Sequence, residues 1–371
     1  MPMREFNSTG LCVPEKHYMA DVSGRVAQIR AMVEKGDYFC IDRPQQYGKT
    51  TTLAALERDL AADFEVLLID FQKFGYATFA SEGSFVRSFS QAVLYRRGAR
   101  PLPEAARHKV EALARGDADV TLRDLFWALR LWCAESARPV ILVVDEVDNA
   151  IVNQVFLDFL AQLRFQYLRR EEYSGYPAFQ SVIFAGVTDV RFLKAKTRSA
   201  EQARLNSPWN IATDFRVDMS FSREDVVGML VQYEADHATG MDVGVVASEI
   251  ICWTGGYPFL VSRLCQLVDV NGLPWDCGGV ESAVRMLLSD PNVSLFESLK
   301  DKLEAYPRLK EQLREMLMQG TSVFASPYDE MQRQFRTHGF TSVRDGKMIV
   351  ANRVFETLLY DYFSPNSAGE S

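Results

Sequence analysis

The stretch Arg43-Pro-Gln-Gln-Tyr-Gly48-Lys49-Thr50-Thr51 holds the residues best suited to chemistry in this chain. It follows a short apolar run, Tyr38-Phe-Cys-Ile41, and precedes a helical pattern from Thr51 to Leu60, the strand–loop–helix setting of a phosphate-binding loop. Consecutive backbone N–H groups in such a loop curl around phosphate oxygens, and the helix dipole favours their negative charge. On this reading Arg43, Gln45, Gln46, Tyr47, Gly48, Lys49, Thr50 and Thr51 cradle ATP. Lys49 reaches the β- and γ-phosphates, and the Thr50 hydroxyl holds Mg²⁺. The pattern departs from Gly-x4-Gly-Lys-Ser/Thr at one place, where Arg43 replaces the first glycine. Glycine relaxes the turn leaving the strand because a positive φ costs it nothing, so Arg43 predicts a slightly wider turn.

A second constellation lies in Pro139-Val-Ile-Leu-Val-Val-Asp145-Glu146-Val-Asp148. An unbroken apolar run predicts a central parallel strand covered on both faces, and ligands bind at the carboxyl ends of such strands. Asp145 then holds Mg²⁺ through water, as a Walker B aspartate does. Glu146 polarises the attacking water as general base. A third candidate follows one helix later, where Gln180-Ser-Val-Ile-Phe-Ala-Gly186 predicts a buried strand ending at Val187-Thr188-Asp189. In P-loop ATPases that insert a strand between the two motif strands, that strand carries a polar sensor facing the γ-phosphate, and resemblance to them would give this strand the same role. Thr188 is the first candidate and Asp189 the second.

These residues need a scaffold, and the periodicity supplies one. Helices are expected at 23–35, 84–97, 104–115, 121–135 (Thr121 as cap) and 153–172. Strands are expected at 38–42, from Glu65 to Phe71, at the two acidic or polar ends above, and at Asp214–Met219. Strands alternating with helices predict an α/β fold with a right-handed parallel sheet. Beyond it, Ser222 caps a helix near 223–238, a second is expected near 243–252, and Thr254-Gly-Gly-Tyr-Pro258-Phe-Leu turns sharply into an apolar helix to about 270.

With 371 residues, 47% hydrophobic and 24% charged, the chain predicts two or three domains. The amino terminus lacks a signal-peptide core, and no apolar run approaches the roughly 20 residues that span a bilayer. The six cysteines form no Cys-x-x-Cys pair, and the four histidines have no metal-ligand spacing. A soluble cytoplasmic protein without a membrane partner is the expectation. The net charge of −8 gives no global reason for nucleic-acid binding.

Gly255-Gly256-Tyr257-Pro258 resembles the Gly-x-Pro motif of STAND-type and related AAA+ ATPases, in which the proline, here Pro258, sits against adenine in a helical lid. The opening Phe6–Ser23, with Tyr47-Gly-Lys-Thr-Thr-Thr and Asn206-Ser-Pro-Trp-Asn-Ile211, closely resembles the bacterial predicted AAA-ATPase-like family over about residues 4 to 270. That family tolerates a non-glycine residue at the Arg43 position. Many members add a nuclease-like domain, but no set of nuclease carboxylates is present here, so nuclease activity is not carried over. The resemblance implies an arginine finger in residues 196–206, with Arg198 first and Arg204 in reserve, and a sensor-two arginine at Arg263. It also places Cys12 to Met19 near the base, where His17 and Tyr18 either pack on adenine or make core contacts.

The last hundred residues predict helices at 307–318 and 327–336, a hairpin turning at Asp345-Gly346, and a helix from Val354 to Phe363. This order resembles a winged helix. From Glu297 to Phe363 ten Lys/Arg balance ten Asp/Glu, which favours a protein-docking or regulatory role, or self-association, over DNA binding. The expected organisation is a P-loop core over 1–220, a helical lid over 221–280, a winged-helix-like domain over 281–363 and a disordered tail over 364–371. The expected activity is slow hydrolysis of Mg-ATP as a switch. A DNA-remodelling ATPase and a nucleotide-binding scaffold without turnover are the alternatives.

Overall fold

Four strands form one parallel sheet in the computed structural model, which describes residues 4–96, 100–116, 119–192, 209–326 and 328–364. They are β1 (Tyr38–Asp42), β2 (Glu65–Asp70), β3 (Val140–Asp145) and β4 (Ser181–Gly186), in the spatial order β1-β4-β3-β2. β4 is therefore inserted between the two motif strands, with Ile41 opposite Ala185 and Val144 opposite Phe184. Every residue of β3 and β4 is buried, which is why both sequences are apolar without alternation. β2, at the sheet edge, alternates buried and half-buried positions.

Helices α1 (Ser23–Lys35), α2 (Lys49–Leu60), α3 (Glu82–Leu94), α4 (Glu104–Arg115), α5 (Leu122–Glu135) and α6 (Gln154–Glu172) accompany the strands. Alternate strand residues Cys40, Ile69, Val144 and Phe184 join one apolar cluster with Phe89, Val110, Leu129 and Phe159 of α3 to α6. Phe159 lies 5.3 Å from both Phe89 and Phe126, ring centre to ring centre. Each such side chain contributes roughly 1.5–3 kcal/mol by leaving water. α5 starts where Thr121 and Asp124 cap each other reciprocally.

The expected fifth strand over 214–219 is corrected. Its pairing with β1 reduces to a single bridge between Phe39 and Thr213, where Thr213 N–H donates to the Tyr38 carbonyl. The alternation still sorted the faces. Phe215 is buried and stacks on Phe39, while Asp214 and Arg216 face outward and pair with each other.

The chain divides into two compact units. The sheet unit comprises Ser23–Asp42 and Thr52–Val217. The second draws on Met1–Val22, Arg43–Thr51 and Asp218–Ser371, so the phosphate loop belongs with the later helices. These are α7 (Arg223–His237), α8 (Val243–Thr254), α9 (Pro258–Val270), α10 (Cys277–Ser289), α11 (Ser294–Ala305), α12 (Pro307–Gln319), α13 (Glu330–Thr337) and α14 (Arg353–Phe363). The hairpin strands β5 (Thr341–Arg344) and β6 (Lys347–Val350) stand between α13 and α14. Asp345 and Gly346 both take positive φ, as the tight two-residue turn requires. The stretch around Val323–Ala325 adds to β6, since Met348 N–H donates to Val323 and Ala325 N–H to Gly346.

α10 and α11 were not anticipated. α10 hides behind two glycines in its first turn and is started by Asp276, whose carboxylate accepts from Gly279 N–H. α13 begins at Glu330, later than expected, because Asp329 caps it by accepting from the N–H groups of Met331 and Gln332.

Candidate functional site

Within the second unit, the phosphate loop is closed by its own lysine. Lys49 is buried, and its Nζ donates to the carbonyls of Arg43 at 3.0 Å and Pro44 at 2.8 Å. Gln46 and Gly48 both adopt positive φ, which curls the loop into α2. α2 starts at Lys49, so Lys49, Thr50 and Thr51 form its first turn. Thr50, Gln45 and Gln46 are exposed, whereas Arg43 and Tyr47 are half-buried. The Thr51 hydroxyl accepts from Cys12 N–H at 3.2 Å, tying the amino-terminal segment to the loop.

The lid motif reaches this loop through a residue that sequence reasoning passed over. Tyr257 is buried, its hydroxyl donates to the Gln45 carbonyl at 2.7 Å, and its ring meets Tyr47 edge-on at 4.8 Å. Burial, with Tyr47 alongside, holds its phenol well above the ordinary range, so it stays a donor. Pro258 is buried in the first turn of α9 beside it. The signal that could have found Tyr257 is its place between two turn glycines and a proline, where any side chain is forced to face one side. Gly339, after α13, also abuts the loop. A Cβ there would stand 2.7 Å from the Pro44 ring.

Of the open alternatives for the amino-terminal segment, the core contact is the one observed. Tyr18 is buried between Phe6 at 4.9 Å and Tyr233 at 5.3 Å, and its hydroxyl donates to Asp236. His17 Nδ1 accepts from Val13 N–H. Arg263 is held by Gln266 at 2.8 Å and by Asp290 at 3.2 Å.

The sheet unit carries the acidic groups. Asp145 is buried at the carboxyl end of β3, and Glu146 follows in the left-handed region at φ 54, ψ 43. Such a backbone costs a non-glycine residue about 1–2 kcal/mol, and strain of this kind clusters at functional turns. Thr188 is half-buried just past β4. Asp189 is taken up by Arg191, which donates to both of its carboxylate oxygens at 2.7–3.0 Å and also pairs with Asp214. Arg198 and Arg204, with the start of the Asn206–Ile211 motif, lie outside the described residues.

Residues 13–363 match the model of a family described as AAA-like domain. The chain belongs to the AAA-like domain family. The match runs well beyond residue 270, to the last residue of α14. Among solved structures, the AAA-like chain resembles the Walker-type ATPase of Pyrococcus abyssi, with a TM-score of 0.64 at 14% identity, over 95% of this chain and 99% of that one. Cdc6p of Pyrobaculum aerophilum aligns over 96% of this chain and 98% of its own at 12% identity and a TM-score of 0.42. An uncharacterised WD repeat-containing protein of Synechocystis sp. is 25% identical over 132 residues, 35% of this chain. The AAA-like chain spans only 10% of that protein's length. Family and fold together make this a nucleotide-binding chain of the P-loop ATPase class. Among the described residues no cluster of His, Cys, Asp or Glu is arranged to hold a metal ion, and no helix is long and apolar enough to cross a membrane.

Proposed function

We propose that this AAA-like chain binds Mg-ATP and hydrolyses it slowly, as a cytoplasmic molecular switch of the STAND type. The observation that carries the reading is the bond from Tyr257 in the lid to the Gln45 carbonyl in the phosphate loop. A lid that grips this loop senses what the loop holds, and ligands shift a two-state element by their differential contacts. Lys49 and the loop N–H groups hold the β- and γ-phosphates, with Thr51, Gln45, Gln46, Tyr47 and Gly48 completing the cradle. The donor set suits Mg²⁺, which takes one or two protein oxygens and fills the remainder with water and phosphate. Thr50 and Asp145 would supply such oxygens, and a bound ion would neutralise charge on the phosphates. Glu146 accepts a proton from the attacking water, the bond from the γ-phosphorus to the bridging oxygen breaks, and ADP and phosphate result. Thr188 senses the γ-phosphate, and Arg198 is the proposed finger. Pro258 packs on adenine.

The functional division retained is a core over 1–220, a lid over 221–280 and a winged-helix-like module over 281–363. Its balanced charge favours a protein partner or a second copy of the chain over DNA. The test is ATP turnover by wild type, Lys49→Ala and Glu146→Gln, across protein concentration, with and without DNA. Lys49→Ala should lose ATP binding. Glu146→Gln should keep it while turnover falls by roughly 10²–10⁴. Turnover rising with concentration supports a finger supplied in trans, and stimulation by DNA moves the reading to a remodelling ATPase. Tight binding with no turnover in wild type defeats hydrolysis.

A further inference from the structure

Asp148 stands two residues beyond Glu146 and has no role in the scheme above. Its carboxylate accepts from two consecutive main-chain N–H groups, Oδ2 from Val187 at 2.6 Å and Oδ1 from Thr188 at 2.9 Å. Each of these is a charge-assisted bond, stronger than its neutral counterpart, and the two together fix direction as well as distance. The carboxylate joins two strand ends. Asp148 lies in the single turn Val147–Asn149 that follows β3, and Val187 and Thr188 directly follow β4.

Two backbone features show that the turn is shaped for this contact. Glu146, in the left-handed region, redirects the chain leaving β3. Gly186, the last residue of β4, leaves room for the carboxylate. A Cβ there would lie 2.6 Å from Asp148 Oδ2 and 2.7 Å from Val147 Cγ1, although Gly186 itself has no left-handed φ. Space, and not conformation, requires glycine at this position. Asp189 cannot substitute for Asp148, since Arg191 occupies its carboxylate.

We propose that Asp148 is a positioning residue of the hydrolytic site, clipping the segment that carries Thr188 to the turn that carries Glu146. The inference rests on the ATPase reading and deepens it. With the clip closed, the residue that senses the γ-phosphate and the residue that activates water are one rigid piece, so presence of the phosphate and activation of the water are coupled. On this proposal Asp148 acts through Thr188 and Glu146 and not directly on nucleotide or water.

The experiment uses the full chain with Asp148→Asn and Asp148→Ala. It measures ATP turnover, ATP affinity at equilibrium, and main-chain hydrogen exchange at Val187 and Thr188. Asparagine keeps the shape and one acceptor oxygen, so it guards against a chain that fails to fold. The expected result is a kcat lowered about tenfold in Asp148→Asn and further in Asp148→Ala. ATP affinity should change by less than about twofold, and exchange at Val187 and Thr188 should accelerate while that of β3 does not. An unchanged kcat in Asp148→Asn overturns the proposal, as does unchanged exchange at the two amides. ATP affinity falling in step with kcat also overturns it, being the mark of a merely structural residue. Wild type that binds ATP without turning it over defeats the hydrolytic reading instead, and exchange alone then decides whether the clip exists.

Discussion

Gly256 and Glu146 both occupy the left-handed region, for opposite reasons. At Gly256 (φ 78) the turn between α8 and α9 brings the Phe221 carbonyl to 2.2 Å from where a Cβ would stand. The same turn is sealed by Phe221 N–H donating to the Gly256 carbonyl at 2.8 Å. Gly256→Ala is therefore expected to cost about 2–4 kcal/mol, read as a shift in the urea midpoint. At Glu146 a side chain tolerates the strain that glycine would avoid. Glu146→Gly should stabilise the sheet unit by about 0.5–1 kcal/mol while abolishing turnover, and calorimetry beside an ATPase assay checks both halves. A fall in melting temperature would show that the Glu146 side chain earns its place structurally.

On the proposed switch reading, the elements that matter most are α9 and the phosphate loop, joined by the Tyr257 hydroxyl across a sequence separation of 212 residues. Tyr257→Phe keeps the ring against Tyr47 and removes only the donor to Gln45. A buried hydrogen bond of this kind contributes about 0.5–1.5 kcal/mol, which corresponds to ADP release faster by roughly twofold to thirteenfold. Stopped-flow release of a fluorescent ADP measures it, and an unchanged rate would disconnect the lid from the loop's occupancy. The same scale explains the misread strand. Alternation over 214–219 reports which residues face inward, as Phe215 does against Phe39, but a ladder also needs a partner edge in register. Among the described residues, the Thr213 bridge to β1 meets that condition.

At the scale of the whole molecule, the unit holding the loop and lid buries three phenols. Burial raises all three, with Asp236 adding to the effect at Tyr18, which is pushed up to about 12, and Asp269 at Tyr233; Tyr257 is also raised well above the usual value. Their folded pKa values lie above the unfolded value near 10, so their contribution is fully present below pH 10. As pH rises beyond it, the unfolded chain sheds protons that the folded chain retains, and stability falls. Each phenol costs about 1.4 kcal/mol per pH unit above its unfolded pKa, up to its folded one. Melting temperature should thus decline steeply between pH 10 and 11.5, and Tyr18→Phe should flatten the decline. A pH-independent melting temperature across that range would refute the assignment.

Local grammar was enough to find the phosphate-loop pattern, the acidic end of β3, the strand β4 and the α/β class, whereas the place of β4 between β1 and β3 came from the fold. Lys49, Thr50, Asp145 and Glu146 are readable as candidates because each stands within a few residues of the turn that presents it, and an unbroken apolar run announces a central strand by itself. The hairpin at Asp345-Gly346 was readable for the same reason, since two positive φ values follow from two adjacent residue types. Tertiary structure alone decided the parts that depend on distant chain segments meeting. Tyr257 gains its role from Gln45, Gly339 from Pro44, and Asp148 from amides 39 and 40 residues further along. Tyr18 likewise became a core residue only because Phe6 and Tyr233 close around it. A motif encodes the groups that do chemistry, but the contacts that hold those groups in place are set by packing between residues that no local pattern connects.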